Sequence, residues 1–122
     1  MANKKLLIVD DEPNIVLALR ILLEDEGYEI SYCYDGATAI ENIDSLKPDL
    51  VLLDVMMPGV DGFTVAKYIR NNVKFTHTNI IFLTAKGTKD DKMEGYNSGA
   101  EYYMVKPFDN DAVLDKVKEL LG

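Results

Sequence analysis

Five short apolar runs, at residues 6–9, 28–34, 49–54, 80–83 and 102–105, alternate along the chain with longer stretches in which apolar residues recur every three or four positions. Leu50 to Leu53 and Ile80 to Leu83 have no polar face, the mark of strands covered on both sides of a parallel sheet. The helical spacing predicts a first helix over 14–26, with Ile15, Leu19, Leu22 and Leu23 inward, Pro13 at its start and Gly27 as its stop. Ala37, Ile40, Ile43 and Leu46 mark a second helix ended by Lys47-Pro48. A third covers 62–72 with Phe63, Ala66, Tyr68 and Ile69, and a polar stretch, 71–79, leads from it to the fourth strand. Val113, Val117, Leu120 and Leu121 form the inner side of a last helix over 109–121. The helix over 88–98 is the weakest. Its start is a block of charge, only Met93 and Tyr96 offer anchors, and Gly95 lowers its propensity, so a loosely held, mobile element is expected. Five strands alternating with five helices call for one parallel sheet with right-handed crossovers and helices on both faces, an α/β fold.

At 122 residues, 48% hydrophobic and 28% charged, the chain is one domain over 1–122 that can bury a core without disulfides or structural metal. The net charge of -8 argues against direct binding to nucleic acid or to an anionic membrane surface, because both need basic patches. The lone Cys33, between Ile30, Tyr32 and Tyr34, reads as a small buried strand residue in a reducing compartment. The N-terminus, Met-Ala-Asn-Lys-Lys, runs straight into a short apolar strand, too short for the apolar region of a signal sequence and far too short to span a bilayer, and a cytoplasmic protein is expected. His77, the only histidine, lies in a polar loop and reads as solvated.

The polar residues of interest all fall where a strand ends: Asp10 and Asp11 after the first, Asp54 after the third, Thr84 after the fourth, Lys106 after the fifth. Parallel strands place these on one edge, where open α/β sheets bind ligands. If the first and third strands are neighbours, three carboxylates crowd together and disfavour one another unless a cation lies between them. A hard, oxygen-seeking ion, Mg²⁺ or Mn²⁺, answers that need where a phosphoryl group also binds. Lys106 offers a point charge for a phosphoryl oxygen, its bond to Pro107 permits a cis peptide, and Thr84 offers a hydroxyl donor. Each has a plainer reading. Asp54 alone is a turn residue, Asp10-Asp11-Glu12 suits a helix N-terminus, and a threonine ending a strand is a β-former. Together, in this order, they form a specific pattern.

The chain resembles, end to end, the receiver domain of two-component response regulators, including the single-domain chemotaxis-type and sporulation-type regulators. The resemblance rests on Leu7-Ile8-Val9-Asp10-Asp11-Glu12-Pro13, Asp54-Val55-Met56-Met57-Pro58-Gly59-Val60-Asp61-Gly62, Leu83-Thr84-Ala85, and Gly99-Ala100-Glu101-Tyr102-Tyr103-Met104-Val105-Lys106-Pro107-Phe108. It implies a flavodoxin-like sheet of order 2-1-3-4-5. It further implies that Asp54 accepts a phosphoryl group from a phosphohistidine of a sensor kinase or phosphotransfer protein. Asp11 would bind Mg²⁺ directly, Asp10 through water, and Asp54 and the Met56 carbonyl would complete the protein's ligands. Lys106 and Thr84 would hold phosphoryl oxygens. Thr84 and Tyr103 would form the switch that alters the surface of the fourth helix, fifth strand and fifth helix for a downstream protein target. Met56 and Lys86 occupy positions that tune hydrolysis of the acyl phosphate. Tyr102 and Glu101 stand where acidic residues are frequent, and Met104-Val105 replace a more usual Leu-Thr. Ending at Gly122, the sequence suits either a stand-alone regulator or a piece of a longer one.

Three other readings are open at this stage. A haloacid-dehalogenase type of phosphatase also uses an aspartate after a buried strand, but needs a second carboxylate where Met56 stands. A flavodoxin-like electron carrier would cradle a flavin phosphate in the first loop, which here is acidic. A receiver-like module that takes no phosphate would have no need of all five site residues.

Overall fold

The structure, a computed structural model, describes residues 3–122. The strands are β1 (Lys5–Val9), β2 (Glu29–Cys33), β3 (Leu50–Leu53), β4 (Asn79–Thr84) and β5 (Tyr102–Val105). The helices are α1 (Pro13–Glu24), α2 (Gly36–Leu46), α3 (Gly62–Arg70), α4 (Lys89–Asn97) and α5 (Asn110–Leu121). All four strand pairings are parallel and the order is β2-β1-β3-β4-β5, the order the resemblance implied.

Alternate residues of each inner strand serve opposite faces. Leu7, Val9, Val51, Leu53, Ile80 and Phe82 pack under α2 and α3, against Ala39, Ile43, Phe63, Val65, Ala66 and Ile69. Leu6, Ile8, Leu50, Leu52, Ile81 and Leu83 pack under α1 and α5, against Val16, Leu19, Leu23, Val113 and Val117. This two-sided burial is why β3 and β4 read as unbroken apolar runs. Among the described residues, α4 gives neither cluster a side chain, and Gly95 is its one buried residue. A reciprocal capping box between Thr88 and Asp91 holds its start instead.

Two expectations are corrected. Cys33 is half-buried, not buried, because β2 is an edge strand whose outer side, with Tyr32 and Tyr34, is open. The polar stretch 71–79 contains a 3₁₀ turn, Val73–Phe75, that drops Phe75 into the core near α3. Its polar neighbours masked that single anchor. No helix among the described residues is long and apolar enough to cross a membrane.

The hydrogen-bond ladder continues one step past the strands, from Asp54 N–H to the Val9 carbonyl (2.9 Å), Asp10 N–H to the Cys33 carbonyl (3.3 Å) and Lys106 N–H to the Thr84 carbonyl (2.8 Å). These bonds align the strand-end residues along one edge. Gly62 at the start of α3 donates to the Val55 carbonyl (2.9 Å), and its Cα faces the Asp54 peptide so closely that a Cβ there would lie 2.1 Å from the Asp54 carbonyl oxygen. Only glycine permits the chain leaving Asp54 to fold back against that peptide.

Candidate functional site

Lys106 reaches back across the sheet edge. Its Nζ lies 2.7 Å from Asp10 Oδ2, 3.3 Å from Asp54 Oδ2 and 3.4 Å from Glu12 Oε1. The Lys106-Pro107 peptide is cis. Asp10 is 2% exposed and Asp54 4%, whereas Asp11 stands open beside them. The other carboxylate oxygens have backbone partners: Asp10 Oδ1 accepts from Glu12 N–H (2.9 Å) and Asp54 Oδ1 from Met56 N–H (3.3 Å).

Ligand oxygens of Asp10, Asp11, Glu12 and Asp54 all lie within 4.8 Å of one another. Four carboxylates against one ammonium leave excess negative charge in a partly buried space. At Asp10 burial, first of all, pushes the carboxyl above the usual range. The Lys106 and Glu12 hydrogen bonds act in the opposite direction, and the Asp54 charge adds to the rise. Burial alone would lower Lys106, but the hydrogen bond to Asp10 and the charges of Asp10, Asp54 and Glu12 hold it above the ordinary lysine range, as a fixed cation. The donor set, oxygen only and anionic, fits a hard divalent cation such as Mg²⁺. Glu12 belongs to this cluster, though only its place beside Asp10-Asp11 in the sequence hinted at it.

Thr84 is fully buried at the next strand end. Its hydroxyl oxygen accepts from Lys86 N–H (3.3 Å), within its own loop and not from the acidic cluster. Tyr103 is 6% exposed, with its ring 5.6 Å from Phe82 and 6.5 Å from Tyr96, and its hydroxyl donates to the Lys86 carbonyl. Burial, with the charges of Asp91, Asp54 and Glu94, pushes the phenol up to about 12, so it remains a donor at neutral pH. Met56 is 59% exposed and shares with Asp11, Phe63, Lys86 and Glu94 the lining of an open cleft of about 450 Å³. The structure thus gathers Asp10, Asp11, Glu12, Asp54 and Lys106 into one contact group, with Met56 and Lys86 along the adjoining cleft and Thr84 and Tyr103 joined through the loop of Lys86. A larger cleft, about 590 Å³, opens at the opposite sheet edge, lined by Asp44, Lys47, Asp49, Lys74, the exposed His77 and the buried Thr78, whose hydroxyl donates to the Pro48 carbonyl (3.0 Å); none of the clustered carboxylates described above reaches it.

A five-stranded parallel sheet of this order, carrying an acidic cluster and a bridging lysine at its carboxyl edge, defines a class of signalling domain. The chain belongs to the response regulator receiver domain family, whose model matches residues 6–118. Among its relatives is the alkaline phosphatase synthesis transcriptional regulatory protein PhoP of Bacillus subtilis, 43% identical over 119 residues, which are 98% of this chain and 49% of that protein. The DNA-binding dual master transcriptional regulator RpaA of Synechocystis is 40% identical over 96% of this chain and 48% of its own length. The chain therefore spans about half the length of these relatives. Among solved structures, a putative response regulator from Chloroflexus aurantiacus matches with a TM-score of 0.92 at 34% identity, covering 98% of both chains. The chemotaxis protein CheY4 of Vibrio cholerae matches with a TM-score of 0.91 at 32% identity, covering 98% of this chain and 99% of that one.

Proposed function

We propose that Asp54 is the phosphoacceptor of a two-component phosphorelay, taking a phosphoryl group from a phosphohistidine of a sensor kinase or phosphotransfer protein. One observation carries this reading: Lys106 Nζ bridges Asp10 and Asp54 at 2.7 and 3.3 Å, at the end of the central strand β3. The Asp54 carboxylate oxygen released from its Lys106 contact attacks phosphorus, the P–N bond of the donor breaks, and its electron pair leaves with the imidazole, which takes up a proton. Carboxylate is already a nucleophile, so no general base is required. What the chain supplies is position and charge, the main demands of phosphoryl transfer. Lys106, fixed as a cation, exchanges its contact with Asp54 for one with a phosphoryl oxygen, and the Thr84 hydroxyl donates to another.

Asp10, Asp11, Asp54 and the Met56 carbonyl would hold Mg²⁺, with Glu12 beside them. When bound, the ion neutralises the phosphoryl oxygens and the crowded acids. Thr84 and Tyr103 convert phosphorylation into a change at α4, β5 and α5, and that surface controls binding of a downstream protein. The weakly anchored α4 suits a switch, which needs a nearly balanced element. The setting is cytoplasmic. Two relatives are named as transcriptional regulators, and a transcriptional target is compatible here through protein contacts, not through direct contact of this acidic domain with DNA.

The test is incubation with acetyl phosphate, with and without Mg²⁺, for the wild type and Asp54→Asn. The expected result is a mass gain of one phosphoryl group that needs both the metal and Asp54. Equal labelling of Asp54→Asn, or labelling indifferent to Mg²⁺, would overturn the assignment.

A further inference from the structure

The least anchored helix meets the proposed switch residue at a glycine. A Cβ built on Gly95 would lie 2.5 Å from Cδ2 and 2.7 Å from Cε2 of the Tyr103 ring, and 3.3 Å from Cδ2 of Phe82. Carbon atoms do not pack at the first two distances, so a single methyl group at 95 and the present position of the ring are incompatible. Glycine is also the poorest helix former short of proline, and α4 has no buried apolar side chain among the described residues to offset it. We propose that Gly95 is a positioning residue: by leaving the inner side of α4 bare it admits the Tyr103 ring to the buried position it holds here, and so sets how readily that ring of the proposed switch stays buried or turns out to solvent. The claim deepens the reading of Tyr103 given above and rests on it.

Which group would yield to a methyl at 95 follows from what holds each. The Gly95 carbonyl accepts from the buried Ser98 hydroxyl (2.7 Å) and from Ala100 N–H (3.3 Å). Just beyond, Arg70 Nε donates to the Gly99 carbonyl (3.1 Å) while its Nη2 pairs with Glu101 (2.9 Å), which also accepts from Ile80 N–H (2.6 Å). The end of α4 is thereby tied to α3 and to the start of β4. Phe82 is fully buried against Phe63, with ring centroids 5.4 Å apart. The Tyr103 side chain, by contrast, projects from an edge strand, and among the described residues its one hydrogen bond goes to the Lys86 carbonyl. Held by less than either neighbour, the Tyr103 ring is on this proposal the group that yields, turning about χ1 to another staggered rotamer toward solvent.

The experiment uses the whole chain and no phosphodonor. Gly95→Ala is made in the wild type and in Tyr103→Ala, and thermal midpoints are compared. In the wild type the midpoint falls; in Tyr103→Ala, with the slot empty, it rises through the better helix propensity of alanine. The same sign in both backgrounds overturns the proposal. A second readout is fluorine NMR of the 3-fluorotyrosine-labelled protein, with the Tyr103 resonance assigned by its loss in Tyr103→Phe. In Gly95→Ala that resonance acquires the H₂O/D₂O solvent shift of an exposed tyrosine; a resonance that stays buried means that the helix moved instead, and the proposal fails. Absence of acetyl phosphate labelling in the wild type would strike the phosphoacceptor reading and leave these outcomes to decide the role of Gly95 on their own.

Discussion

At the scale of single residues, neighbours override ordinary chemistry. Cys33 is half-exposed, yet burial pushes its thiol up to about 11; its contact with the Asp35 carbonyl acts in the opposite direction, and the Asp35 charge adds to the rise. At pH 8 the reactive thiolate is then on the order of one part in a thousand, against about a quarter for free cysteine; the greater intrinsic nucleophilicity of a high-pKa thiolate offsets part of this, so a disulfide reagent should modify Cys33 roughly twentyfold more slowly than free cysteine. Labelling at the rate of the free amino acid would contradict that environment. Met56 belongs to the same scale. Its exposed, apolar side chain lines the open cleft, two residues after Asp54, and would offer water no hydrogen-bonding partner on its approach to the acyl phosphate proposed there. Met56→Asn is expected to shorten the phosphoprotein half-life severalfold, about 1 kcal/mol in the barrier. A time course of phosphoryl loss followed by mass checks this, and an unchanged half-life rules the idea out.

Elements fix where those residues stand. The start of α3 lies on the peptide of Asp54, and the clash that a Gly62 Cβ would make is with backbone, the Asp54 carbonyl oxygen and carbon and Val55 Cα, none of which can turn aside. Gly62→Ala should therefore cost about 1–3 kcal/mol despite its better helix propensity, in the range of overpacked cores, and should slow labelling at Asp54 by shifting its peptide. Urea denaturation reads the first effect, and a midpoint equal to that of the wild type would show that the contact is slack. This differs in kind from Gly95, where the opposing group is a side chain. α4 itself was legible as weak from its charge block and sparse anchors, but its inner contact was not: a backbone pressed on Tyr103 leaves no hydrophobic periodicity to read.

Over the whole molecule, the site is a meeting of residues 96 positions apart, Asp10 and Lys106, and its electrostatics are a property of the fold. The Asp10 carboxyl titrates above its ordinary value of 3.8, so the folded chain binds that proton more tightly than the unfolded one. Without metal, this group makes stability fall as pH rises from about 3.8 through the folded pKa. The divalent cation proposed above would compete with that proton, so the gain in stability from Mg²⁺ should grow with pH across that window. At a hundredfold excess over the dissociation constant the gain is about 2.7 kcal/mol. Asp11 is exposed and forms no ion pair among the described residues, so Asp11→Asn should remove most of this gain at little cost to the metal-free fold. Melting curves with and without Mg²⁺ at several pH values check both points, and an equal gain in Asp11→Asn would place the ion elsewhere.

The sequence by itself determined the number, order and type of the elements, because apolar periodicity and the residues that end strands and helices are local signals. It also named three of the acids, Asp10, Asp11 and Asp54, with the threonine and the lysine of the candidate site, since in a parallel sheet the residues at the ends of the strands must fall on one edge. Tertiary structure alone decided the rest: that Cys33 lies half-open on an edge strand, that Phe75 reaches the core from a polar loop, that Glu12 joins the acidic cluster, and that Gly62 and Gly95 are bare because something lies against them. Those outcomes depend on distances between parts of the chain far apart in sequence, and no local pattern encodes what will be packed against a residue from the other side.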